Sequence, residues 1–109
     1  LAPTLHSART AGAPVDVTVG GIAADSLGAQ RVGRIAWQIT QAHLADCLLL
    51  ADDAIRDSQR FLWREFRLAV EPGAALPLAA LRTGLVAPTA GQKVCLILCG
   101  ANVDPASLA

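Results

Sequence analysis

The sequence predicts an α/β fold in which parallel strands are flanked by helices on both faces. Helix-length amphipathic stretches alternate with short apolar runs, in the order helix, strand, helix, helix, strand. The two runs, "DCLLLA" at 46–51 and "VCLILC" at 94–99, lack the polar alternation of a half-exposed strand. Of 109 residues, 53% are hydrophobic and only 17% charged, below the roughly 25% usual in globular domains.

The elements follow in chain order. "APTLHSARTAG" reads as a short helix stopped by Gly12. "APVDVTVGGIAAD" has Pro14, alternating valines and the Gly20-Gly21 pair, and is expected to be extended and irregular. Gly28, Val32, Ile35, Ala36 and Ile39 fall at helical spacing, which predicts one helix from about 26 to 43, N-capped by Asp25 or Ser26. After the first strand, "DDAIRDSQRFLWREFRLAV" is a helix capped by Asp52. Its buried stripe is Ile55, Ser58, Leu62, Phe66 and Ala69, with Arg56, Arg60 and Arg64 facing out. A further helix begins at Pro72 and ends at Gly84, with Ala74, Leu78, Leu81 and Leu85 on its face and many small residues suited to close packing. "VAPTAGQK" is a loop, and "VCLILC" is the last strand.

Two strands alone cannot make a stable doubly covered sheet. Met is absent, at position 1 as elsewhere. The expectation is a single partial domain over 1–109, completed by further chain or by oligomerisation. Formal charge is zero and no basic patch is present, which argues against nucleic acid as a partner. No apolar run approaches the roughly 20 residues of a membrane span, and no signal peptide is evident. Cys47, Cys95 and Cys99 are an odd set with no disulfide pattern, pointing to a reducing cytoplasm.

In open α/β sheets ligands bind beyond the carboxyl ends of the strands. Cys99-Gly100-Ala101-Asn102 stands at such an end. Gly and Ala would admit a flat ligand to the backbone, and a thiol is a small neutral donor and acceptor. A buried inert Cys followed by a tight turn accounts for the same residues. Glu71, in "LAVEPGAA", is either a carboxylate at the edge of that pocket or a charge that complements a helix dipole. His43 falls near a helix C-terminus, where it would complete the dipole, and Lys93, the sole lysine, reads as a solvated loop residue. No nucleophilic triad, P-loop or metal-ligand spacing is present.

Three motifs stand in order: "GGIAADSLGAQRVG", "LAVEPGAALPLAAL" and "VCLILCGANVD". Together they resemble the C-terminal part of serine/threonine dehydratases, pyridoxal-phosphate enzymes of the tryptophan-synthase-β fold, or fold type II. "APTLHSARTAG" is similar too, so the likeness covers nearly the whole chain. It implies the C-terminal part of the large, cofactor-binding domain.

On this resemblance Cys99 takes the place of the Ser or Cys that bonds the pyridine nitrogen. Gly100, Ala101 and Asn102 match the following turn, more often Gly-Gly-Asn. Glu71 matches the acidic residue of a Glu-Pro motif near the ring. Asp25 and Ser26 match a segment passing close to it, where Gly is frequent at the second position. "VEPGAALPLAAL" departs from the usual run of alanines, and Pro77 is expected to be tolerated only within a first helical turn. The family's cofactor-linking lysine and phosphate loop have no counterpart in these residues.

The implied activity is deamination of threonine or serine to a 2-oxo acid and ammonia, by a homo-oligomer with an amino-acid substrate. The implied cofactor is pyridoxal 5'-phosphate, and no catalytic residue falls within this chain. An amino-acid racemase of the same fold and a non-catalytic α/β binding module are the alternatives.

Overall fold

The computed structural model describes residues 1–109, which divide into two compact units, Leu1–Leu49 and Leu50–Ala109. All regular structure is helical.

In the first unit, α1 (Thr4–Ala11) ends as expected at Gly12, whose φ of 74° is the left-handed conformation glycine adopts without strain. The helix expected over 26–43 is two: α2 (Ala24–Leu27) and α3 (Arg34–His43). The reason is tertiary. Between them the Ala29 carbonyl accepts from Thr4 Oγ1 at 2.6 Å, and the Gln30 carbonyl accepts from the Val17 N–H at 2.8 Å. Gly28 and Gly33, both weak helix formers, flank the break. Asp25 and Ser26 therefore lie inside α2 rather than capping it; the N-cap is Ala23. On α3 the expected apolar stripe is present but uncovered within its unit, with Ile35 69% and Ile39 56% exposed.

In the second unit, α4 (Asp52–Phe66) packs on α5 (Pro72–Arg82). Asp52 is the first helical residue, and Ala51 occupies the cap position. Ile55, Ser58, Gln59 and Leu62 are the buried face of α4; Phe66, expected in it, is exposed and Ala69 half-buried. Arg56 and Arg64 face out as expected, while Arg60 is half-buried. The buried residues of α5 are all alanines, Ala74, Ala75, Ala79 and Ala80, rather than the leucines of the expected stripe. Small side chains let the backbones approach, so Leu78 and Leu81 are displaced to half-buried flanks and Leu85 to the surface. Burial of Ile55 and Leu62 stabilises this seam by roughly 2 kcal/mol each. At its edge the Arg82 guanidinium stacks 4.2 Å from the Phe61 ring centre.

Helix α5 continues through Pro77, which lies in the second turn rather than the first. A 3-10 turn, Pro105–Leu108, closes the chain, capped by the Asp104 carboxylate and anchored by buried Leu108.

The two predicted strands are not formed: residues 46–51 and 94–99 carry no regular structure. Val94, Ile97 and Leu98 are 45%, 72% and 38% exposed. A strand needs a neighbour to return its N–H and C=O bonds, and apolar composition alone does not supply one.

Candidate cofactor-binding site

In the second unit, Glu71 and Gly100 meet at the entry to α5. After α4 the chain turns at Arg67, in the left-handed conformation with φ 58°, and the Leu68 N–H returns to the Leu62 carbonyl at 3.2 Å. Val70 is buried, and its carbonyl accepts from Gln59 Nε2 at 2.8 Å.

Glu71 follows as the N-cap of α5, extended at φ −68° and ψ 160°, with Pro72 next to it. Pro needs no donor partner and presets the helical φ, so this pair starts the helix. The Glu71 carbonyl accepts from the N–H groups of Ala74 and Ala75 at 3.0 and 3.3 Å. Its carboxylate accepts no capping bond from the helix. It lies instead against Gly100: a methyl group there would fall 2.7 Å from Oε2 and closer still to Oε1 and the carboxyl carbon. The Glu71 N–H donates to the Gly100 carbonyl at 3.1 Å. Glu71 and Gly100 are thus joined at both backbone and side chain.

Cys99, directly before Gly100, is exposed, as are Ala101 and Asn102 after it. A packed, inert thiol is not what the structure shows. The Val103 N–H returns to the Ala101 carbonyl at 2.9 Å, a tight turn with Asn102 at its tip.

Asp25 and Ser26 belong to the first unit. Asp25 is exposed; the half-buried Ser26 donates from Oγ to the Ala23 carbonyl at 3.4 Å. Lys93 is exposed in the loop before residues 94–99.

The family described as "Pyridoxal-phosphate dependent enzyme" matches residues 1–100. The chain belongs to that family. This pyridoxal-phosphate family member is 33% identical over 108 residues to the phenylserine dehydratase of Ralstonia pickettii, covering 99% of this chain and 33% of that protein. It is 32% identical to the biosynthetic L-threonine dehydratase of Escherichia coli K12, covering 92% of this chain and 20% of the relative. A solved structure of a T.th. threonine deaminase superposes with a TM-score of 0.81 at 27% identity, covering 94% of this chain and 36% of that one. The chain spans about a third or less of the curated relatives it matches.

The second unit's residues fit the family's cofactor on two structural counts. Gly100 leaves room for a carboxylate directly on the backbone, and the exposed Cys99 thiol beside it offers a small donor or acceptor to a heteroaromatic nitrogen. Sequence reasoning missed Gln59. Its signal was a polar side chain on the apolar face of α4, at stripe spacing between Ile55 and Leu62.

Proposed function

We propose that this chain is the C-terminal part of the large domain of a pyridoxal-phosphate-dependent lyase that deaminates threonine or serine to a 2-oxo acid and ammonia. The observation that carries the reading is the Glu71 carboxylate, which makes no capping bond with its own helix and lies against Gly100, next to Cys99. Similarity to two dehydratases and a threonine deaminase supports the reaction class.

Cys99 and Glu71 would hold the cofactor ring, with Gly100, Ala101 and Asn102 forming the wall beside it. When bound, pyridoxal 5'-phosphate supplies an electron sink for bonds at the substrate's α-carbon. Cys99 would meet the pyridine nitrogen with a neutral group and so keep that sink moderate, which favours prompt loss of the β-hydroxyl. Glu71 would supply a carboxylate at the ring's edge, where it can accept a hydrogen bond or a proton. The exposed Val94, Ile97 and Leu98 support a larger parent domain with neighbouring parallel strands flanked by helices, and a homo-oligomer. Three free thiols agree with the cytoplasm as its compartment. No helix is long and apolar enough to cross a membrane.

The test uses the longer parent protein loaded with cofactor. Ammonia and 2-oxo acid are measured from L-threonine, L-serine and phenylserine. Release from the first two, with Glu71→Ala lowering turnover more than it lowers the melting temperature, supports the reading. Interconversion of enantiomers without ammonia would replace it with a racemase, and turnover of phenylserine alone would reassign the substrate.

A further inference from the structure

The peptide unit joining Val70 to Glu71 is held at both ends. Its carbonyl accepts from Gln59 Nε2 at 2.8 Å, and its N–H donates to the Gly100 carbonyl at 3.1 Å. The chain has no cis peptide bond. In a planar trans unit the C=O and N–H point in opposite directions. Bonds on both sides therefore fix the tilt of the plane, not only its position. The Glu71 Cα is attached to this plane, so its tilt sets where the carboxylate starts.

Gln59 is 6% exposed and shares the buried face of α4 with Ile55 and Leu62. An apolar side chain would pack there without the cost of burying an amide. The donor to Val70 is what an amide adds. We infer that Gln59 is a positioning residue: through the Val70–Glu71 peptide it holds the Glu71 carboxylate against Gly100. This rests on the reading of Glu71 as the carboxylate beside the cofactor.

The experiment uses the cofactor-loaded parent protein and four variants: Gln59→Leu, which keeps bulk but loses the donor, Glu71→Gln, the two combined, and Ile55→Val. The last trims a buried residue of α4 that has no bond to the Val70–Glu71 peptide. Gln59→Leu is expected to lower kcat about tenfold with little change in KM, as misplacement of a reacting group does. It should shift the absorbance of the bound cofactor in the same direction as Glu71→Gln. Added to Glu71→Gln, it should lower kcat by less than about twofold, because the two act through one group. Ile55→Val should lower the melting temperature by about 3 °C and leave kcat and spectrum unchanged.

Independent, multiplying effects of Gln59→Leu and Glu71→Gln would overturn the proposal, as would a lowered melting temperature with unchanged kcat and spectrum. If the parent protein releases no ammonia, the functional reading fails but the spectrum still decides the positioning. A shared shift upholds it, and a shift with Glu71→Gln alone overturns it. Should Gln59→Leu not fold, Gln59→Asn, one methylene too short to reach Val70, carries the same expectations.

Discussion

The Glu71 carboxylate occupies the space in which any side chain at Gly100 would begin. Two features follow from this. Residue 100 has no side chain, and an acidic residue at a helix start makes no capping bond with its own helix. Glu is not among the side chains that usually cap a helix from this position, so what its carboxylate touches instead is the informative feature.

Gly100→Ala is predicted to separate stability from activity. The atoms in the way are the far end of a flexible side chain, so the new methyl group displaces the carboxylate rather than the backbone. Stability should fall by less than about 1 kcal/mol, within the range of mild substitutions. Turnover in the parent protein should fall at least about tenfold, because the carboxylate has moved. Thermal melts and steady-state rates on the same preparation check it. A large loss of stability with normal turnover would show that Gly100 serves the fold alone.

Local signals in the sequence were read well where local rules decide. Gly12 ends α1, and Pro72 starts α5. Non-local bonds account for the largest error. Nothing in "SLGAQRVG" announces that Ala29 and Gln30 give their carbonyls to Thr4 and Val17, and that exchange splits the expected helix in two. The two expected strands carry no regular structure within these 109 residues for a related reason, since strand formation depends on a neighbour that periodicity does not reveal. Gln59 was hidden because its partner, the Val70 carbonyl, is a backbone atom with no sequence signature.

Arg67 should show an inverted preference between alanine and glycine. Its φ of 58° is strained for any residue with a Cβ. The side chain offsets this by donating from Nη1 to the carbonyls of Trp63, at 3.1 Å, and Arg64. Arg67→Ala loses these bonds and keeps the strain, so it should be destabilising. Arg67→Gly loses the bonds and the strain together, and should be more stable than Arg67→Ala by about 1 kcal/mol. Paired thermal melts measure the difference. Equal melting points would mean that the left-handed turn is not populated in solution.

Cys47 gives the first unit a pH dependence of definite sign. Burial pushes its thiol above the ordinary 9.0; Arg9 works against this and Asp46 adds to it. The folded state thus favours the neutral thiol. Stability from this group is fully present below about pH 9, where the unfolded thiol begins to ionise. It is lost as pH rises through the raised folded value. In the 109-residue chain, Cys47 should be alkylated more slowly than the exposed Cys95 and Cys99 at pH 8, with the gap widening no further at lower pH. Peptide mass spectrometry of a timed iodoacetamide reaction reads all three at once. Faster labelling of Cys47 would contradict the assigned burial.

Cys99 decides the reading of the site. Its thiol is exposed in this unit and stands directly before the glycine that carries Glu71. If it meets the pyridine nitrogen in the parent protein, Cys99→Ser should be nearly silent, because a hydroxyl is also small, neutral and able to donate or accept. Cys99→Asp is close in size but brings a charge. The side chain is exposed here, so the penalty expected is not one of burial. A carboxylate at that nitrogen would hold a proton on it and strengthen the electron sink. Stronger withdrawal gives the substrate's α-position time to be reprotonated, so flux moves from loss of the β-hydroxyl toward racemisation or transamination. Ammonia release should fall on the order of a hundredfold, the scale of losing one well-placed electrostatic contact, while the share of racemised amino acid rises. Both readouts are needed, since a misfolded variant would lose both products together. If Cys99→Asp matches Cys99→Ser in rate and in product ratio, the thiol does not touch the ring nitrogen. Residues 99–102 then act as a turn alone, and the cofactor reading rests on Glu71.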